Sequence, residues 1–191
     1  MKKLVLTTLI GAALGFATQS AFADTNSDGA TGLITFNGKI VDATCTVEGD
    51  KGNADITVNL PTVSKSLLDT QGKTAGDTTF KIHLKNCTGL DSVTEAKAYF
   101  YNGDNVTADG RLENKATQSK ANNVTVQLLT MSGTPINPIK EANEQGADFY
   151  TLSKSGSTGT GTLIYKARYY AEDTVSAGTV LAKVKYLINY N

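Results

Sequence analysis

The chain has 191 residues and balanced charge, with 18 Lys+Arg against 18 Asp+Glu, so it lacks the basic excess by which a nucleic-acid-binding protein is recognised. It holds one histidine and two cysteines, and one histidine is too few for a metal centre built on several.

The first predicted element is a signal peptide over residues 1–23. Lys2 and Lys3 form a positive start, Leu4 to Phe16 is apolar apart from Thr7, Thr8 and glycines, and Ala21-Phe22-Ala23 is the small-x-small pattern that signal peptidase reads. The apolar run is too short to span a bilayer and stops at Gln19-Ser20. Cleavage between Ala23 and Asp24 leaves Asp24 to Asn191, the length of one ordinary domain. Export into an oxidising compartment makes Cys45 and Cys87 a structural disulfide, since a redox pair has C-x-x-C spacing. On the chain-entropy model such a bridge contributes roughly 3–4 kcal/mol.

Next comes an extension, residues 24–38, which opens with the polar Thr25-Asn26-Ser27-Asp28-Gly29 and then alternates as Gly32, Ile34, Phe36. The strand that follows carries its apolar set on the other parity: Val41, Ala43, Cys45, Val47. A bulge would produce that switch, and so would two halves packing into different cores.

The body, residues 39–191, is rich in Gly, Thr, Val and Asn. Three runs alternate with period two: Phe80-Ile82-Leu84 against Lys81-His83-Lys85, Val124-Val126-Leu128 against Thr125-Gln127, and Leu163-Tyr165-Ala167-Tyr169 against Lys166-Arg168. Each predicts a strand with one face on a core. Turn clusters separate them, among them Asn102-Gly103-Asp104, Asp109-Gly110 and Ser155-Gly156-Ser157-Thr158-Gly159. Lys65 to Gln71 and Ile139 to Gly146 are predicted to hold a helical turn each. Short strands broken by frequent turns predict an all-β antiparallel sandwich. The final run, Val180, Ala182, Val184, Tyr186, Ile188, Tyr190, alternates almost to Asn191. Chain ends ordinarily fray, so a face and an edge apolar to this point require a partner.

These residues, in order, resemble the type 1 fimbrial protein family, the major subunits of chaperone–usher fimbriae. The likeness runs through Gly32-x-Ile34-x-Phe36-x-Gly38, Val41-Asp42-Ala43-x-Cys45, Phe80-x-Ile82-x-Leu84-x-Asn86-Cys87, Tyr165-x-Ala167-Arg168-Tyr169-Tyr170, Gly178 and the penultimate Tyr190. The resemblance implies an incomplete immunoglobulin-like sandwich that lacks its seventh strand. A periplasmic chaperone lends a strand first, and the N-terminal extension of the next subunit then replaces it at the outer-membrane usher. On this pattern Ile34 and Phe36 fill pockets in a neighbouring copy, and Gly32 passes a pocket too shallow for a side chain. Gly178, Val184, Tyr186, Ile188 and Tyr190 belong to the strand that the chaperone meets. The implied product is an open head-to-tail filament of identical subunits at the cell surface, supporting adhesion, with no cofactor. A minor adaptor subunit of the same fimbria shares all of these motifs, whereas a tip adhesin needs a further receptor-binding domain.

No catalytic constellation competes with this reading. His83 falls on the polar Lys81/Lys85 face of its strand, and a copper–zinc dismutase sandwich requires several histidines. Gly156-Ser157-Thr158-Gly159-Thr160-Gly161 lacks the lysine and the following helix of a phosphate loop and is predicted to be a hairpin loop ahead of a strand from Leu163.

Overall fold

A computed structural model describes residues 33–49, 54–101 and 103–191. The predicted signal peptide, the cleavage site at Ala23 and Asp24, and Gly32 lie outside the described residues. The chain divides into a unit of residues 1–38 and a unit of residues 39–191. In the first, residues 33–38 have no regular secondary structure and are exposed.

The regular secondary structure of the second unit consists almost wholly of antiparallel strands. In chain order they are β1 (Thr44–Glu48), β2 (Thr74–Thr88), β3 (Glu95–Phe100), β4 (Leu112–Glu113), β5 (Val124–Thr130), β6 (Pro135–Ile136), β7 (Tyr150–Thr151), β8 (Ser153–Ser155), β9 (Thr158–Ala171) and β10 (Tyr186–Tyr190). One sheet has the order β1-β2-β9-β5-β4, with β6 added on β5 and β8 on β9; the other has the order β10-β3-β7. A single 3-10 turn, Lys65–Leu68, precedes β2, as expected for Lys65 to Gln71. Residues 139–146 form only a turn, closed by the Gln145 amide on the Glu141 carbonyl at 3.1 Å.

The period-two pattern of β2 is obeyed residue by residue: Ile82 and Leu84 are buried while Lys81, His83 and Lys85 are exposed. On β9, Leu163, Tyr165 and Ala167 point into the same core. The second sheet answers with Ala96, Ala98 and Phe100 of β3. Tyr165 is the keystone between the layers. Its ring meets those of Phe80, Phe100 and Tyr150 at 5.9, 5.4 and 5.8 Å between centroids, and its hydroxyl oxygen accepts the Ala98 amide at 2.8 Å. Burial pushes the Tyr165 hydroxyl pKa well above its ordinary value, holding the group neutral.

Two expectations are corrected. β5 was predicted to be buried on one face, yet all seven of its residues are buried. Its polar face is covered because Thr125 donates to Glu172 Oε1 at 2.6 Å and Gln127 accepts from Arg168 Nε at 2.9 Å. The glycine-rich segment is a hairpin, but its loop is only Gly156-Ser157, and β9 starts at Thr158 rather than Leu163. Gly159 and Gly161 thus lie inside a strand. A Cβ there would stand 2.3 Å from Leu90 Cδ1 and 2.5 Å from Leu152 Cδ2, so the glycines make room for core leucines.

Candidate functional site

Each sheet ends in two outermost strands, β1 and β4 in the first and β10 and β7 in the second, and two of these four edges border one gap. β1 is outermost in its sheet beyond β2, and β10 is outermost in the other sheet beyond β3. These two edges face one another without a backbone ladder between them. Two tyrosine hydroxyls bridge the gap: Tyr190 accepts the Cys45 amide at 2.8 Å, and Tyr186 donates to the Ala54 carbonyl at 2.6 Å. Burial is the main cause that lifts the pKa of both phenols, with the negative Asp55 adding to it at Tyr186.

Apolar side chains line this gap from both banks. Val41, Ala43, Cys45, Val47, Ile56 and Leu60 come from the first bank, and Val180, Ala182, Val184, Tyr186, Ile188 and Tyr190 from the second. All pack against the main core, and all are only half-buried. The result is a hydrophobic groove roofed by nothing among the described residues. Unpaired strand edges above an apolar floor are a ready template for an added strand.

Local chemistry fixes each bank. The disulfide Cys45–Cys87 pins β1 to β2. It sits at a break in the ladder, where the register passes from Thr44↔Thr88 to Thr46↔Lys85 and Asn86 takes φ 50°. The second bank was predicted as one strand from Val180 to Tyr190, but only Tyr186–Tyr190 forms a ladder, against β3. Residues 180–185 have no regular ladder. Two single backbone bonds, from the Lys115 amide to the Leu181 carbonyl at 2.7 Å and from the Tyr101 amide to the Lys185 carbonyl at 2.9 Å, hold them, together with one side chain. The buried Asn114 donates to the carbonyls of Ala121 and Thr179, both at 2.9 Å, and accepts the amides of Ala116 and Leu181, both at 3.0 Å. Its carboxamide thereby uses all four of its hydrogen-bonding positions. Gly178 adjoins the same point: a Cβ there would lie 2.4 Å from both Ala121 N and Ser119 O. The glycine is required by the close approach of two backbones.

The sequence-predicted residues divide into three groups. Cys45, Cys87, Val184, Tyr186, Ile188 and Tyr190 are brought together at the groove, and Gly178 stands at the head of its second bank. Ile34 and Phe36 lie outside any strand, 75% and 89% exposed. Gly32 is outside the described residues. His83 is exposed, as its strand parity predicts, with Nδ1 at 3.1 Å from Thr162 Oγ1. Sequence reasoning missed two members. One is the Ile56-Thr57-Val58-Asn59-Leu60 alternation, which was there to be read. The other is Asn114, a lone polar residue that nothing local distinguishes.

A family model described as Fimbrial protein matches residues 34–191. The major fimbrial subunit SMF-1 of Stenotrophomonas maltophilia (strain K279a) is 41% identical over 176 residues, covering 90% of this chain and 99% of that protein. The F17 fimbrial protein of Escherichia coli is 40% identical over 164 residues, covering 83% of this chain and 87% of that protein. Among solved structures, the P pilus rod subunit PapA is similar with a TM-score of 0.54 at 18% identity, over 77% of this chain and 99% of that one. That last likeness is one of fold.

Proposed function

The chain belongs to the fimbrial protein family and is a structural subunit of a fimbrial shaft, and from that premise we propose that it polymerises by donor-strand exchange. The groove between β1 and residues 180–190 is the acceptor, and residues 24–38 of a neighbouring copy are the donor, with Ile34 and Phe36 entering the groove and Gly32 passing over a shallow part of it. The observation that carries this reading is the pairing of a roofless apolar groove with an exposed alternating apolar segment in one chain. An inserted strand gains main-chain hydrogen bonds along two free edges, while every second side chain fills the floor. Burying Ile34 and Phe36 stabilises each joint by roughly 1.5–3 kcal/mol apiece, before the cost of ordering the extension.

Before assembly the same groove is a liability, since a lone subunit exposes apolar surface and strand edges. A periplasmic chaperone that lends a strand covers it, and an outer-membrane usher is where the lent strand is exchanged for the neighbour's. Export by the signal peptide of residues 1–23 brings the chain to that compartment and, through the usher, to the surface fimbria.

The test is the double substitution Ile34→Asp, Phe36→Asp, which places two carboxylates in an apolar groove where desolvation opposes the charge. The variant is expected to form a soluble chaperone complex in normal yield and to give no surface fibres. Normal fibres from it would refute the donor assignment.

A further inference from the structure

The apolar parity of the extension does not stop at Phe36. Gly38 and Ile40 continue it, and Val41 is where the other parity takes over. Ile40 belongs to the body, yet its side chain is fully exposed, at 102%, beside a Val41 that packs on the core. An isoleucine in that position has no task in the isolated subunit.

The geometry of the groove says where Ile40 goes. Along the first bank, Cys45 meets Tyr190, Ala54 meets Tyr186, and Val63 packs with Val180 in a second small core. The two banks are therefore antiparallel, and the groove has a Tyr190 end and a Val180 end. The chain enters the body at the Tyr190 end: Lys39 Nζ donates to the Ser92 carbonyl at 3.4 Å, and the Thr94 amide donates to the carbonyl of Asn191 at 3.1 Å. In a head-to-tail filament all subunits point the same way. An extension leaving one body at its Tyr190 end then enters the next groove at that groove's Val180 end. Ten residue steps separate Ala30 from Ile40, and ten separate Val180 from Tyr190, so at ~3.3 Å per residue each run spans about 33 Å. With the extension filling the groove, Ile40 arrives at the Val180 mouth.

That mouth is itself apolar and exposed. Leu67, on the 3-10 turn after Val63, is 54% exposed, and Leu181, next to Val180, is 48% exposed. We propose that Ile40 seats against Leu67 and Leu181 of the next subunit, forming an apolar seam that continues the donor strand onto the body and fixes how one subunit leans on the next. This rests on the donor-strand reading. It makes Ile40 a contact of the assembled fibre alone, with no part in the subunit's own fold or its chaperone complex.

Paired cysteines test it in fibres. Ile40→Cys is combined in the full chain with Leu67→Cys or with Leu181→Cys, and as a control with Met131→Cys, which is 47% exposed but follows β5 at the end away from Val124 and the second core. Oxidised fibres of at least one of the first two pairs are expected to run as a covalent ladder under non-reducing denaturation, and those of the control as monomer. Fibres that assemble but show no ladder with either leucine position, or an equal ladder with Met131→Cys, overturn the seam and leave donor-strand exchange intact. Failure of exchange itself shows separately, as normal fibres from the Ile34→Asp, Phe36→Asp variant. Should the cysteine pairs not assemble, Ile40→Ala in the otherwise native chain decides. Its fibres are expected to dissociate in denaturant roughly tenfold faster, matching about 1.4 kcal/mol of lost apolar contact, with the chaperone complex unchanged. Dissociation at the native rate overturns the proposal.

Discussion

The two sides of this sandwich use the same kinds of residue to opposite effect. On the closed side, Val126 and Leu128 of β5 are buried because β9 flanks the strand on one edge and β4 and β6 pair with it on the other. On the open side, Val184 and Ile188 are equally apolar and alternate in the same way, but they stay half-buried beside an edge with no strand among the described residues. The difference lies in pairing, not in hydrophobicity. A strand completes its burial only when both edges are occupied, so leaving one edge empty turns ordinary core residues into a binding surface. The open side is thus unfinished core, and the residues that hold it open bear a load the closed side does not have.

The largest expected effect comes from deleting the strand of the second bank. Removal of Lys185 to Asn191 takes away β10 and with it Tyr186, Ile188 and Tyr190, three of that bank's six apolar side chains. On the donor-strand proposal a chaperone then loses its docking edge: co-purification with it is expected to fall to background, and the subunit to be degraded in the periplasm. Recovery of full-strength complex from the truncated chain would break the comparison, since the open side would then not be the docking edge.

Much of the closed side was legible in advance. Ile82 and Leu84 on β2, and Leu163, Tyr165 and Ala167 on β9, follow period two because each faces a single core, and alternation needs only local information. The groove was legible in outline, from an apolar run reaching Tyr190 where a frayed end is the norm. Three things were not. The polar residues of β5 read as solvent-facing, but Glu172 and Arg168 cover them, and such partners are distant in sequence. Gly159 and Gly161 looked like a loop because glycine signals conformational freedom and close packing with the same letter. Asn114 was invisible because its four partners, in residues 116–181, meet only in the folded chain.

Next in size is the disulfide. Replacing Cys45 or Cys87 with Ser removes the covalent tie between β1, the strand of the first bank, and β2 and is expected to cost about 2–5 kcal/mol, read as a lower denaturation midpoint of the isolated subunit. Asn114→Ala follows at about 2–4 kcal/mol, because two amides and two carbonyls lose their partner in a buried site. Amide hydrogen exchange sharpens this comparison: protection at Ala116 and Leu181, whose amides the Asn114 side chain accepts, should collapse while that of β5 and β9 holds. Uniform loss across both sides would mean that Asn114 supports the whole fold and not the second bank.

The smallest effect separates two tyrosines that make the same bond in the two settings. Tyr165 accepts the Ala98 amide inside the core, and Tyr190 accepts the Cys45 amide across the gap, both at 2.8 Å. Phenylalanine preserves each ring and removes only the acceptor. At Tyr165 the orphaned amide is buried with no route to water, so Tyr165→Phe is expected to cost about 1–3 kcal/mol. At Tyr190 the amide borders an unroofed groove that water enters, so Tyr190→Phe should cost about 0.5–1.5 kcal/mol in the free subunit. Alkaline titration carries the same contrast. Burial raises the folded-state pKa of both phenols, so the stability they contribute is complete below the unfolded tyrosine value of about 10 and is lost as pH climbs from there through the folded pKa. Tyr165→Phe is expected to flatten that alkaline loss more than Tyr190→Phe, since the shift is larger where enclosure is complete. Equal costs and equal flattening would mean that the groove is as dry as the core, and that the second side of the sandwich is already closed in the single chain.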